Sequence, residues 1–213
     1  MKIKSFGCSF IYGNELSDCH GQPSQLTWPA LVAKHLDLDY NCHAAPGVGN
    51  LFILQSILAE IDREPAIYIV NWSWIDRFDY LDSYDNRWLT LRPNETDAAA
   101  QSYYRNLHSQ YRDKLTNLIY VQTAIDALIK QKQKFVMTLM DNLLFETEWH
   151  CDTVVKRIQN YISPHIKSFD GYSFLDWSRQ RNYPESELWH PLEDAHQAAA
   201  DYALKNFIPA LSK

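Results

Sequence analysis

The sequence predicts a single α/β domain, a three-layer α/β/α arrangement around a five-stranded parallel sheet of flavodoxin-like type. Three observations carry that expectation. Short apolar runs alternate with longer segments of helical period, the pattern of strand–helix–strand units. A length of 213 residues suffices for one such domain with a well-buried core. The composition, 46% hydrophobic and 22% charged, is that of a globular chain.

Taken in order, Lys2–Phe6 is the first predicted strand, followed by residues 38–42, 66–71, 134–140 and 172–176. The predicted helices cover residues 28–36, 50–61, 115–131, 152–162 and a last one over 192–207. Thr27 before Trp28-Pro29 is a good helix start, because proline in a first turn gives up no needed N–H. Leu115, Leu118, Ile119, Ile125, Leu128 and Ile129 fall on one face of a helix. One region breaks the alternation. Residues 77–113 form a long stretch in which Phe78, Tyr80, Tyr84, Trp88, Tyr103, Tyr104 and Tyr111 stand among polar residues. Long irregular segments are uncommon in compact domains and often functional. A substrate-facing lid, a partly helical insertion packing its aromatics inward and an oligomer contact all remain open.

Charge and cysteine usage narrow the function classes. A net charge of −6 without a dense basic run argues against nucleic acid or an anionic membrane surface as the main partner. No apolar run approaches the roughly 20 residues that span a bilayer, and the basic start lacks a signal-peptide core. A cytoplasmic location is the expectation. Cys8, Cys19, Cys42 and Cys151 form no C-x-x-C pair and read as reduced thiols. Cys19-His20 and Cys42-His43 invite a zinc reading, but their spacing matches no standard structural site. Neither a metal nor a cofactor is expected.

The chemistry lies in two end blocks and two turns between them. Gly7-Cys8-Ser9-Phe10-Ile11-Tyr12-Gly13 follows the first strand, placing Ser9 at the carboxyl edge where open α/β sheets hold their ligands. Glu187-Leu188-Trp189-His190-Pro191 precedes the last helix. A serine hydroxyl needs a base to become a nucleophile, and the His190 imidazole titrates near working pH. Glu187 lies within reach of that imidazole across one turn and would orient it. Asn41 to Asn50, with Gly47 and Gly49, leaves the second strand and opens a helix, where free N–H groups suit a developing anion. After the third strand comes Val70-Asn71-Trp72-Ser73-Trp74, followed by Asp76 and Arg77.

Together these blocks resemble the SGNH (GDSL) hydrolases over nearly the whole chain. Gly7, Ser9 and Gly13 match that family's G-D-S-x-x-x-G block, with Cys8 in place of Asp. His190 and Pro191 match its D-x-x-H-P block, with Glu187 in place of Asp. The Gly-Cys-Ser-Phe start and the Trp-Ser turn are similar to a divergent branch met in phage and bacterial genomes. The resemblance implies a serine esterase with Ser9 as nucleophile, His190 as base and Glu187 as the orienting acid. It also implies an oxyanion hole from the N–H groups of Ser9 and Gly47 with Ser73 or Asn71, and a structural role for His196. The implied substrate is a small-molecule or glycan ester. Trp72, Trp74, Trp177 and Trp189 near strand ends suit a sugar ring or an acyl chain, though tryptophans equally fill cores. Two rivals stand: a non-catalytic binding module on the same fold, and a thiol nucleophile at Cys8.

Overall fold

The structure is a computed structural model that describes residues 1–61 and 64–211. From the N-terminus, β1 (Lys2–Phe6) leads into the one-turn helix α1 (Ser9–Tyr12), then α2 (Trp28–His35), β2 (Asp39–Cys42), α3 (Asn50–Glu60) and β3 (Ala66–Trp72). A hairpin of β4 (Phe78–Leu81) and β5 (Trp88–Leu91) and the helix α4 (Ala98–Asn106) follow. The long helix α5 (Gln110–Lys130), β6 (Lys134–Leu139), α6 (Thr153–Ile162), α7 (Phe174–Gln180) and α8 (Glu193–Asn206) complete the chain.

Four strands form one parallel sheet in the order β2-β1-β3-β6. All seven residues of β3, Ala-Ile-Tyr-Ile-Val-Asn-Trp, are buried, as a central strand covered on both faces requires. β2 lies at the edge and alternates exposed Asp39 and Asn41 with half-buried Tyr40 and Cys42, polarity that blunts an open edge. Two apolar clusters sandwich the sheet. One joins α3, α5 and α6 through Ile57, Leu118, Val121, Leu128 and Ile158; the other joins α2, α7 and α8 through Trp28, Val32, Phe174, Ala199 and Ala203.

The sheet has four strands where the sequence predicted five, because residues 172–176 start a helix. Ser173 accepts the N–H of Asp176 and donates its hydroxyl to the Asp176 carboxylate at 2.8 Å, and that reciprocal cap begins α7. The fifth-strand position is held only by a parallel bridge between Ile166 and Met137, with Lys167 N–H donating to Met137 O at 2.7 Å. α5 also starts one turn earlier than expected, at a Ser109 cap that accepts the N–H of Arg112. Pro191 stands outside the last helix, bridged to Glu185.

The stretch 77–113 is ordered. It consists of the β4–β5 hairpin, α4 and the start of α5, with its own small core of Leu91, Ala100 and Tyr103 against Phe78, Tyr80 and Tyr104. Phe78 and Tyr103 stack at 4.3 Å, and the Tyr104 hydroxyl donates to Asp76 O and Leu91 O. Most of its aromatics thus turn inward, whereas Tyr84 at the hairpin tip is 94% exposed.

Candidate active site

Ser9 is the first residue of α1, at the carboxyl end of β1. Cys8 caps this helix and its thiol is buried in the α3–α5 core, so the chain turns Ser9, not Cys8, toward the sheet edge. The helix must end at once, and Gly13 ends it at φ +79° with its N–H on Ser9 O. A Cβ there would lie 2.4 Å from Ser24 Cβ, so only glycine permits this exit.

The exit brings the next residues back over Ser9. Leu16 is buried, and Ser17 N–H donates to the Glu193 carboxylate at 2.8 Å, tying this segment to the start of α8. Just before them Glu15, at φ +70°, reaches toward His190. His190 Nε2 lies 2.9 Å from Ser9 Oγ, and His190 Nδ1 is hydrogen-bonded to Glu15 Oε2. A carboxylate only accepts, so Nδ1 carries the proton and Nε2 is left to accept from the serine hydroxyl. The Ser186 hydroxyl donates to the same Glu15 oxygen at 2.5 Å. That bond, followed by those of His190, holds the Glu15 carboxyl below the usual carboxylate range against its partial burial. Phe10 meets the imidazole edge-on at 5.2 Å and closes one side.

Glu187, expected at the imidazole, is not the residue brought there. Ser186 accepts from the N–H groups of Leu188 and His190, and its own N–H donates to His190 O. This closed turn puts positions 187–189 on the outside, with Trp189 at φ +62° and 69% exposed. Glu187 is exposed at the rim of the cleft, and Ser186 and Glu15 face inward instead. His196 lies inside α8, where its Nδ1 accepts the N–H of Trp28 at the start of α2. Burial drives its pKa down to about 3, so it is a neutral capping group.

The turns expected to hold an oxyanion both flank β1. Gly47, at φ +78°, precedes α3, and the Arg92 guanidinium is the nearest group that a Cβ there would meet. Asp79 on β4 accepts the N–H groups of Gly49 and Phe52 at 2.8 and 2.9 Å and the Thr90 hydroxyl at 2.6 Å, so the hairpin caps α3. Gly49 is glycine for this reason, since its Cβ would lie 2.8 Å from the Asp79 carboxylate. Asn71 and Ser73 differ in kind. Asn71 is a ladder residue of β3 paired with Thr138, and its side-chain carbonyl accepts the Thr138 hydroxyl at 2.9 Å. Ser73 lies just past the strand end, buried, with its N–H on Asn50 Oδ1 and its hydroxyl accepting from Arg77.

Ser9 and His190 open into a cleft of about 660 Å³. Its walls include Phe10, Trp74 and Leu175, with Leu188 and Trp189 at the lip. The polar wall is Asp76, Arg77 and the insertion's Arg92, Asn94 and Glu95, where Arg92 and Glu95 are paired. Burial pushes the Asp76 carboxyl above the usual range, against the pull of Arg77. Trp72 and Trp177 are core residues; Trp74 and Trp189 belong to the cleft.

Solved structures with this chain trace include a lipolytic G-D-S-L family protein from Veillonella parvula, at TM-score 0.54 and 16% identity over 98% of both chains. The psychrotrophic esterase EstA from Pseudoalteromonas sp. matches at TM-score 0.58 and 11% identity, over 100% of this chain and 99% of that one. The acetyl xylan esterase Est2A from Butyrivibrio proteoclasticus matches at TM-score 0.55 and 12% identity, over 99% of this chain and 64% of its own. The chain has the SGNH-hydrolase fold. No family model matches the sequence, and neither does any curated protein.

Ser9 and His190, singled out from the two end blocks, meet, while the carboxylate bonded to the imidazole is that of Glu15. The sequence does carry a signal for it. Glu15 follows α1 at its glycine exit, two residues past Gly13, where a reversed chain can return over Ser9. Among the described residues no three His, Cys, Asp or Glu side chains converge to hold a metal ion, and no helix is long and apolar enough to cross a membrane.

Proposed function

We propose that the protein is an ester hydrolase that works by acyl transfer through Ser9. The observation that carries this reading is the unbroken line of hydrogen bonds from Glu15 to His190 to Ser9. Ser9 Oγ attacks the ester carbonyl carbon as its proton passes to His190 Nε2, and the Glu15 carboxylate stabilises the imidazolium across Nδ1. The N–H groups of Ser9 and Gly47 and the Ser73 hydroxyl receive the carbonyl oxygen as it gains charge. The tetrahedral intermediate collapses, the C–O bond to the alcohol breaks, and His190 returns the proton to the leaving alkoxide. Water, deprotonated by His190, then cleaves the acyl–Ser9 ester and frees the acid.

The substrate class this cleft favours is an O-acyl ester of a carbohydrate. A flat, exposed Trp189 and half-buried Trp74 offer faces for a sugar ring, and Asp76, Arg77, Asn94 and Glu95 offer donors and acceptors for hydroxyls. An acetyl xylan esterase among the solved structures of this fold is in keeping with that class. The test is labelling with a fluorophosphonate followed by peptide mapping, together with hydrolysis of acetylated xylo-oligosaccharides and of p-nitrophenyl acetate. Phosphonylation of Ser9, lost in Ser9→Ala and His190→Ala, is expected, with kcat/KM higher on the sugar ester. An unlabelled Ser9 and no ester cleavage would mean a binding module on a hydrolase fold.

A further inference from the structure

We propose that Arg77 is a positioning residue for catalysis, whose guanidinium aims the Ser73 hydroxyl at the oxyanion. The proposal rests on the hydrolase reading above. In the parallel ladder Phe6 pairs with Val70 near the carboxyl ends of β1 and β3, and Ser9 and Ser73 each lie three residues beyond that pair, Ser9 at the start of α1 and Ser73 just past β3. Neighbouring strands are only about 4.8 Å apart, so the two chains leave the sheet side by side at the same edge.

The surroundings of Ser73 leave its hydroxyl one role. Its main chain is fixed on both sides by one amide, with Asn50 Oδ1 accepting the Ser73 N–H at 2.7 Å and Asn50 Nδ2 donating to Ser73 O at 3.0 Å. Asn50 is in turn held by Asn117 Oδ1 at 2.6 Å. Arg77 Nη1 donates to Ser73 Oγ at 2.9 Å and to Val48 O at 2.8 Å, which spans the Ser73 turn and the Gly47 loop. A guanidinium has no acceptor, so the Ser73 proton points elsewhere, and among the described residues it meets no acceptor. Arg77 itself lines the cleft with Ser9 and His190. A hydroxyl that accepts from a cation is polarised and donates more strongly. An amide side chain would donate to an oxyanion unaided; a lone serine hydroxyl has a single, freely rotating proton, and Arg77 removes that freedom.

The experiment is steady-state hydrolysis of p-nitrophenyl acetate by Ser73→Ala, Ser73→Thr, Arg77→Met and the Ser73→Ala/Arg77→Met pair. Loss of one oxyanion donor costs roughly 100-fold in kcat or more, so Ser73→Ala should fall by about that factor with KM little changed. Ser73→Thr keeps the hydroxyl and should stay within about 5-fold, and Arg77→Met should lose about 10-fold or more. Because the arginine acts through the hydroxyl, the pair should fall no more than about 3-fold below Ser73→Ala alone. Arg77→Met with wild-type kcat, or the same fold loss in both backgrounds, overturns the proposal. If Arg77→Met does not fold, Ser73→Ala against Ser73→Thr decides, and wild-type kcat in Ser73→Ala overturns it. Wild-type protein whose Ser9 reacts with a fluorophosphonate while Ser73→Ala is unimpaired sinks this proposal and leaves the hydrolase standing. Wild type inert to label and ester sinks both.

Discussion

At His190 the imidazole is held by two oxygens, the Ser9 hydroxyl that it serves and the Glu15 carboxylate that serves it. In the proposed reaction the carboxylate matters most when the ring is protonated, that is, in the transition state. Glu15→Gln should therefore lower kcat with little change in KM, by roughly 10- to 1000-fold, where loss of a triad acid reaches about 10⁴-fold elsewhere. Glu187→Gln should stay within about 2-fold of wild type, because an exposed rim charge makes no transition-state contact. Steady-state kinetics on p-nitrophenyl acetate compares the two; equal losses, or a loss in Glu187→Gln alone, would return the acid to position 187. The serine and histidine were legible because each stands beside a structural marker, a strand end with flanking glycines and a proline before a helix. The carboxylate that meets His190 was misplaced, since spacing along the chain says that 187 can reach 190 but not that the Ser186 turn points it outward. Two left-handed residues, Glu15 and Trp189, set those directions, and neither is a glycine that would advertise the bend.

Elements were legible where periodicity and caps agreed, and illegible where a short apolar run stood alone. The strands at 66–71 and 134–140 are unambiguous because they are largely apolar and flanked by helices of clear period. Tyr172-Ser173-Phe174-Leu175-Asp176 alternates like a strand, yet Ser173 and Asp176 stand at cap spacing, and the cap prevails. The insertion shows a different limit. Its aromatics left a lid, an inward-packed unit and an oligomer contact open, and they did not say that its polar residues, Arg92, Asn94 and Glu95, would reach the cleft. Its firmest link to the domain is Asp79 capping α3 beside the Gly47 turn. Asp79→Ala removes a cap worth about 1 kcal/mol and leaves the Thr90 hydroxyl and two N–H groups unpaired, so a total loss of roughly 2–3 kcal/mol is expected in urea unfolding. Activity should fall as well, since the Gly47 loop loses its anchor. Unchanged stability would mean that the hairpin rests on the domain without holding it.

Across the whole molecule, α2 and α8 are joined at one buried hydrogen bond, His196 Nδ1 accepting from Trp28 N–H at 3.1 Å, with Phe174 packed on the ring. The same α8 start carries Glu193, which holds the Glu15 segment, so the bond that joins two helices also bears on the site. The imidazole must be neutral to accept, and burial lowers its pKa from 6.5 to about 3. The unfolded chain therefore takes up a proton at His196 below about pH 6.5 while the folded protein does not, so this group's stabilisation is complete above that pH and drains away as pH falls toward 3. The slope is positive in pH, up to about 1.4 kcal/mol per unit for one proton. Glu15, held below its usual range, adds loss of the same sign only under about pH 4.5. Asp113 and Asp141, pushed up by burial, act with the opposite sign, so the total curve mixes terms. A comparison isolates the histidine. His196→Asn keeps an acceptor for Trp28 N–H but cannot titrate, and its lost ring packing lowers stability by a constant amount at every pH. Urea unfolding between pH 7 and pH 4.5 should then show a steeper pH slope for wild type than for His196→Asn, by up to about 1.4 kcal/mol per unit below pH 6. Parallel curves would mean that His196 is protonated in the folded protein, and the bond between α2 and α8 would have to be redrawn.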